Sequence, residues 1–175
     1  MLLAIDIGNS NIVLGVFQGG LVAEHWGVGT RVAYTADELV VPLRGLFGGT
    51  RLRLEDVRHM VVSSVVPSLN QAVADMAVRQ LGIEPLLIGP GVRTGMQIRY
   101  DNPREVGADR IVNSVAAFAR YGGPAVVIDF GTATTFDAVG KNGDYLGWLI
   151  APGSRISVDA LFNRAAKLPR FELAV

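Results

Sequence analysis

One short pattern occurs twice in the chain at a fixed distance. In "AIDIGNSNIVLGVF", residues 4–17, an apolar run ends at Asp6, passes through Ile7-Gly8-Asn9-Ser10-Asn11 and resumes as apolar residues. In "VIDFGTATTFDAV", residues 127–139, the same thing happens around Asp129 and Gly131. Asp6 and Asp129, Gly8 and Gly131, and Val16 and Val139 are each 123 positions apart. A strand, an Asp-x-Gly turn carrying Asn, Ser or Thr, and a returning strand therefore recur in one register. Self-similarity at a fixed offset is the mark of a duplicated half-molecule. The expected division is 1–121 and 122–175, the second half being the incomplete one.

Apolar runs bounded by Gly, Asn or Asp predict strands at about 2–6, 12–17, 21–26, 59–64, 84–88, 124–130, 134–139 and 145–150. Helical periodicity fills the gaps, so the class is α/β, with three strands opening each half. "TADEL" offers Thr35 as N-cap and Glu38 three residues on, a capping box. Pro42 should kink or shorten the helix that follows, because it removes a backbone donor. A second helix is expected over 68–81, with Ser68 as cap and Gly82 as stop. A third should begin at "DNPREVGADR", capped by Asn102 with Pro103 in its first turn, and run to Gly122. A fourth follows "APGS" through Ile156, Ala160 and Leu161.

The 175 residues are half hydrophobic, enough to bury a substantial core. Sixteen basic residues balance sixteen acidic ones, and no Lys/Arg cluster lines one predicted face, so no nucleic-acid partner is expected. The absence of cysteine excludes disulfides, thiolate metal sites and a cysteine nucleophile, and agrees with a cytoplasmic setting. "MLLAI" is cut off by Asp6 too early for a signal peptide, and no apolar run approaches the ~20 residues that span a bilayer.

A single Asp-x-Gly turn is most simply a hairpin with nothing bound. Two copies point further. Each sets small hydroxyl or amide side chains (Asn9, Ser10 and Asn11; Thr132, Thr134 and Thr135) just after a glycine, where backbone N–H groups can approach an anion. Each also sets one carboxylate at a strand end, where it can hold a divalent cation directly or through water. Two facing hairpins of this kind would clamp polyphosphate and metal. The G-x-x-x-x-G-K-[ST] solution is absent from the sequence.

"DIGNSNIVLGVF", "SSVVPSL", "DNPREVGADRIVN", "VIDFGTATTFDAV" and the "APG…S..ALF.RAAKLPR" segment together resemble the type III pantothenate kinases. These are members of the actin, hexokinase and heat-shock-chaperone ATPase superfamily. The resemblance covers essentially the whole chain, and "DNPREVGADR" combined with "DFGTATT" is its most specific part. It implies duplicated ribonuclease H-like (actin-like ATPase) domains with mixed sheets flanked by helices, the second domain incomplete. It also implies transfer of the ATP γ-phosphoryl group to the primary hydroxyl of pantothenate, the first step of coenzyme A synthesis, by a homodimer. Phosphoryl transfer calls mainly for positioning and charge neutralisation.

By resemblance, Asp6, Ile7, Gly8, Asn9, Ser10, Asn11, Ile12 and Val13 form the phosphate loop, with Asp6 organising Mg²⁺. Asp129 is implied as ligand for a monovalent cation, K⁺ or NH₄⁺, and Thr132 as an ATP contact. Asp109, near a helix start where the amide dipole favours a carboxylate, is the expected general base. Helix capping is its plainer role. Arg110 could bind the substrate carboxylate or a phosphate through its planar fork, or form a surface salt bridge. Tyr100, Gly107 and Ala108 are implied substrate contacts, with core packing the alternative for Tyr100.

Other residues invite plainer readings. His25 and His59 lack ligand spacing and read as structural or solvated. Ser63-Ser64 lacks a nearby base and reads as a strand-to-helix turn. The chain also departs from the family pattern. It is shorter, and the second half stops after its third strand and first helix. Trp148 stands where the family usually has a small glycine, so its indole must find space and a partner for its N–H. "GVGTRVAYTADEL" lacks the basic residues common ahead of its threonine. Two alternatives therefore stand beside the kinase: a catalytically silent regulatory or interaction relative, and a kinase of another small alcohol.

Overall fold

The computed structural model describes residues 1–164. The "AAKLPR" end of the last family-like segment, residues 165–170, lies outside the described residues. The chain forms two compact units, one of Met1–Val92 with Gly107–Asp109, the other of Arg93–Val106 with the described residues from Arg110 onward.

The first unit is built on a five-stranded sheet. Strands β1 (Leu2–Ile7), β2 (Asn11–Gln18) and β3 (Leu21–Gly29) form an antiparallel meander. β4 (His59–Ser64) and the short β5 (Leu86–Leu87) add on in parallel to give the order β3-β2-β1-β4-β5. The period of two decides which residues go inside. Leu3, Ile5 and Ile7 face Val16, Leu14 and Ile12 across the β1/β2 ladder, and all six are buried. Helices α1 (Ala36–Gly48) and α2 (Pro67–Met76) cover that face with Leu39, Leu43, Phe47, Leu69, Val73 and Met76. Asp6 and Val13 point to the other side, both exposed.

The Thr35 capping box forms as expected. The Glu38 amide donates to Thr35 Oγ1 at 3.2 Å, and the Thr35 amide to Glu38 Oε2 at 2.8 Å. Pro42 does not shorten the helix, which is regular on both sides of it. The buried residues Leu39, Val40, Leu43 and Phe47 hold both halves on the sheet, so tertiary packing outweighs the lost donor. Ser68 is not a cap either. The helix starts one residue earlier, with Pro67 supplying a preset φ and no orphan N–H, while the Ser68 hydroxyl donates to the Val32 carbonyl. Beyond Met76 the last turn widens into a π turn, Ala77–Leu81, and stops at Gly82 in the left-handed conformation, φ 65°.

The third expected helix divides. Asn102 caps only a short 3₁₀ turn, Pro103–Glu105, and the chain runs extended through Val106 before α3 begins at Ala108 and continues to Tyr121. Burial of the Val106 side chain in that extended stretch explains the break.

The second unit carries an antiparallel sheet of β6 (Ala125–Phe130), β7 (Ala133–Val139) and β8 (Tyr145–Pro152), followed by α4 (Ser154–Arg164). On one face Ile111 and Val115 of α3 pack with Met96, Ile98, Tyr100, Tyr145 and Trp148. The other face presents Val126, Ile128, Phe130 and Leu149, all exposed.

The two hairpins are not identical. Ile7 pairs with Ile12 across the first turn, leaving four residues between them, whereas Phe130 pairs with Thr134, leaving three. Asp6 therefore faces Val13, but Asp129 faces Thr135 rather than Phe136, the position that the constant offset would select. A one-residue change of register reverses the faces of a strand. Thr135 and Asp137 thereby join Asp129 on the side of the sheet that α3 covers.

Candidate active site

The expected phosphate loop is a tight turn braced from a neighbouring strand. Gly8 N–H donates to the Asn11 carbonyl at 2.9 Å, and a Cβ on Gly8 would lie 3.1 Å from that same oxygen. Thr30 fixes the outside of the turn, its hydroxyl donating to the Gly8 carbonyl at 2.7 Å and its amide to the Ser10 carbonyl at 3.0 Å. Asn9, Ser10 and Asn11 are exposed at the tip, while the side chains of Ile7 and Ile12 are locked in the core and leave only main chain at the turn.

The second turn repeats this economy. Gly131 N–H donates to the Ala133 carbonyl at 3.0 Å. Gly153, just before α4, donates to the Thr132 carbonyl at 3.2 Å, and its missing Cβ is what permits the approach, since a methyl there would sit 2.5 Å from the Gly131 carbonyl oxygen. Asp129 is exposed at the end of β6.

Asp109 lies in the first turn of α3, half-buried, next to Gly107. A Cβ on Gly107 would come within 2.5 Å of Asp109 Oδ1, so the glycine is the space that the carboxylate occupies. Ala108 between them is buried.

Arg110 and Tyr100 meet on one indole. The Arg110 guanidinium carbon is 4.2 Å from the Trp148 ring centroid, and the Tyr100 ring lies 6.2 Å from it, tilted by 49°. Arg110 Nη1 also donates to Asp137 Oδ1 at 3.4 Å, and these side chains are only 12% and 1% exposed. The surface salt bridge weighed for Arg110 is therefore a buried one. Asp137 Oδ1 also accepts from the Tyr145 hydroxyl at 2.5 Å, and Oδ2 accepts from Thr135 Oγ1 at 3.3 Å. Tyr145 is wholly buried, and its main chain is tied to Gln97 and Arg99 at 2.8 Å each. Burial, reinforced by the Asp137 carboxylate, pushes the Tyr145 phenol well above its usual 10.0. The phenol is thus a permanent donor. Trp148 Nε1 is buried without a hydrogen-bond partner.

Thr30, Asp137, Tyr145 and Gly153 were not singled out from sequence. A signal existed for Asp137: strand alternation places it with Thr135 on one face. The other three depend on contacts between distant segments.

Among the described residues no group of three or more His, Cys, Asp and Glu could cage a metal. Asp6 and Asp129 each set an exposed carboxylate near the end of a strand beside an Asp-x-Gly turn, and an oxygen donor of that kind could contribute to holding a hard cation.

A five-stranded mixed sheet that begins with an antiparallel hairpin turning on Asp-x-Gly, followed by a second three-stranded meander turning on the same motif, defines the ribonuclease H-like, actin-like ATPase class. A protein from Campylobacter jejuni described as a Baf family transcriptional activator shares this fold with a TM-score of 0.54 at 17% identity, over 96% of this chain and 63% of that one. So does a protein from Sinorhizobium meliloti described as a 2-dehydro-3-deoxygalactonokinase, with a TM-score of 0.53 at 14% identity, over 95% of this chain and 58% of that one. Within the class the sequence is decisive. The family model for type III pantothenate kinase matches residues 2–175. The type III pantothenate kinase of Moorella thermoacetica is 59% identical and that of Myxococcus xanthus 54% identical, each over 99% of this chain and 68% of the relative. The chain belongs to the type III pantothenate kinase family.

Proposed function

We propose that this protein transfers the γ-phosphoryl group of ATP to the primary hydroxyl of pantothenate, giving 4′-phosphopantothenate, with Asp109 as general base. The observation that carries the assignment is the fit of the Asp109 carboxylate into the space left by Gly107 at the start of α3, which holds a proton acceptor in one place. In this reading Asp109 takes the hydroxyl proton as the oxygen attacks, and Tyr100, Gly107, Ala108 and Arg110 orient the acceptor, Arg110 through the pantothenate carboxylate. Asp6 to Val13 and Thr132 hold the nucleotide, the loop using main-chain groups and the exposed Asn9, Ser10 and Asn11. Mg²⁺, held with the help of Asp6, and K⁺ or NH₄⁺ at Asp129 would supply charge neutralisation for the phosphoryl oxygens.

Family membership supports a homodimer and a cytoplasmic setting, and among the described residues no helix is long and apolar enough to cross a membrane. The proposed repeat boundary is 121/122, just ahead of β6, the first strand of the second copy of the hairpin. Incubation of the full-length protein with ATP, Mg²⁺, K⁺ and pantothenate should yield phosphopantothenate and ADP. Phosphorylation of other small alcohols in preference to pantothenate, or ATP binding with no turnover, would overturn the assignment.

A further inference from the structure

We propose that Asp137 is a positioning residue that fixes the Arg110 guanidinium for binding an anionic group, with Tyr145 and Thr135 fixing Asp137 in turn. The inference rests on the reading of Arg110 as the pantothenate-carboxylate contact and names the group on which that contact depends. A long arginine side chain has many rotamers, and each must be lost when it binds a ligand unless the fold has already selected one. Here the selection is made twice. The carboxylate of Asp137 holds the edge of the guanidinium, and the indole of Trp148 holds its face at 4.2 Å. Asp137 and Trp148 are direct partners across the β7/β8 ladder, so one rung of the sheet sets both grips.

Asp137 is itself held by several partners. The Tyr145 hydroxyl and Arg110 Nη1 share its Oδ1, Thr135 Oγ1 holds its Oδ2, and the carboxylate is buried. An arrangement made only for packing would place an apolar pair at this depth, since a buried ion pair returns little stability over hydrophobic residues of similar volume. What an ion pair adds is direction: the guanidinium plane is oriented by one carboxylate and one ring, and Tyr100 lies against the same ring. Trp148 thereby acquires a task where the family pattern has a small residue.

The experiment uses the full-length protein and the variants Asp137→Asn, Tyr145→Phe, Trp148→Phe and Arg110→Ala. KM and kcat are measured for ATP, for pantothenate and for the pantothenate analogue with a primary alcohol in place of the carboxylate. Asp137→Asn should raise the pantothenate KM on the order of 10- to 100-fold. The KM for ATP and for the neutral analogue should stay within about twofold, and Tyr145→Phe should show a smaller shift of the same kind. Trp148→Phe keeps an aromatic face and should retain most of the affinity. Adding Asp137→Asn to Arg110→Ala should cost nothing further, because the first acts through the second. Equal shifts for both acceptors, or additive effects in the double variant, would overturn the proposal.

Nitrogen-15 relaxation of Arg110 Nε separates this proposal from the assignment of the acceptor. The resonance should be rigid in the unliganded wild type and mobile in Asp137→Asn, even in a protein that phosphorylates no pantothenate. Equal mobility in the two would reject the clamp. Should Asp137→Asn fail to fold, Tyr145→Phe gives the same readings with the loss of a single oxygen.

Discussion

A methyl group on Gly107 would meet the Asp109 carboxylate at 2.5 Å and Val65 Cγ1 at 3.5 Å. Val65 is at an ordinary contact distance, so the carboxylate is what must swing away. Gly107→Ala should therefore lower kcat at least about tenfold, through misplacement of the base, with almost no change in melting temperature. Asp109→Asn removes the base outright and should cost about 10²- to 10⁴-fold in kcat, with ATP binding retained. Coupled measurement of ADP release and of thermal melting checks both, and a Gly107→Ala protein with normal turnover would show that the carboxylate has room elsewhere. Tyr145 offers a test by pH. Its phenol titrates higher in the folded protein than in the unfolded chain, so the stability that it contributes is full below pH 10 and is lost as pH rises through the folded value. In urea melts the gap between wild type and Tyr145→Phe should stay constant from pH 8 to 9 and narrow above pH 10.

Among the elements, α1 depends most visibly on its first residue. Thr35→Ala removes the acceptor for the Glu38 amide and should cost about 1 kcal/mol, a fall of about 2–4 °C in melting temperature. The Thr35 amide and hydroxyl hold Glu38 below its usual 4.5, so the reciprocal half of the box is present above that pH and is lost on acidification. Strands, turns and this cap were legible in the sequence because each is written locally, in a period of two, a glycine or a capping pair. Pro42 and Ser68 misled for the opposite reason. Whether a helix survives a proline, and which of two neighbouring residues opens it, is settled by the buried partners that hold it to the sheet. The break at Val106 and Gly107 was equally invisible, since periodicity cannot register one extended residue between two helical turns. For the site, the individual residues were legible and their company was not. Arg110 was read with a surface partner among its alternatives, and the structure gives it a buried carboxylate and an indole.

At the scale of the molecule, the face formed by Val126, Ile128, Phe130 and Leu149 stands out, with Phe130 83% exposed. Contiguous apolar surface of this kind binds hydrophobic dyes and promotes association. The 175-residue chain should bind anilinonaphthalene sulfonate and sediment faster as its concentration rises, and Ile128→Thr with Phe130→Ser should weaken both effects. Unchanged behaviour in that variant would place the association elsewhere. The other face of the same sheet carries Asp129, Thr135 and Asp137, and it does so because the second hairpin turns in three residues where the first takes four. A strand with hydrophobic alternation has two sides that are already committed. Pairing the returning strand one residue earlier exchanges those sides at a stroke, so that the row of Thr135 and Asp137, rather than the row of Phe136, shares the face of Asp129. The second half of this protein thus presents a different row of side chains from a motif of unchanged spacing, since Asp129 to Val139 spans as many positions as Asp6 to Val16.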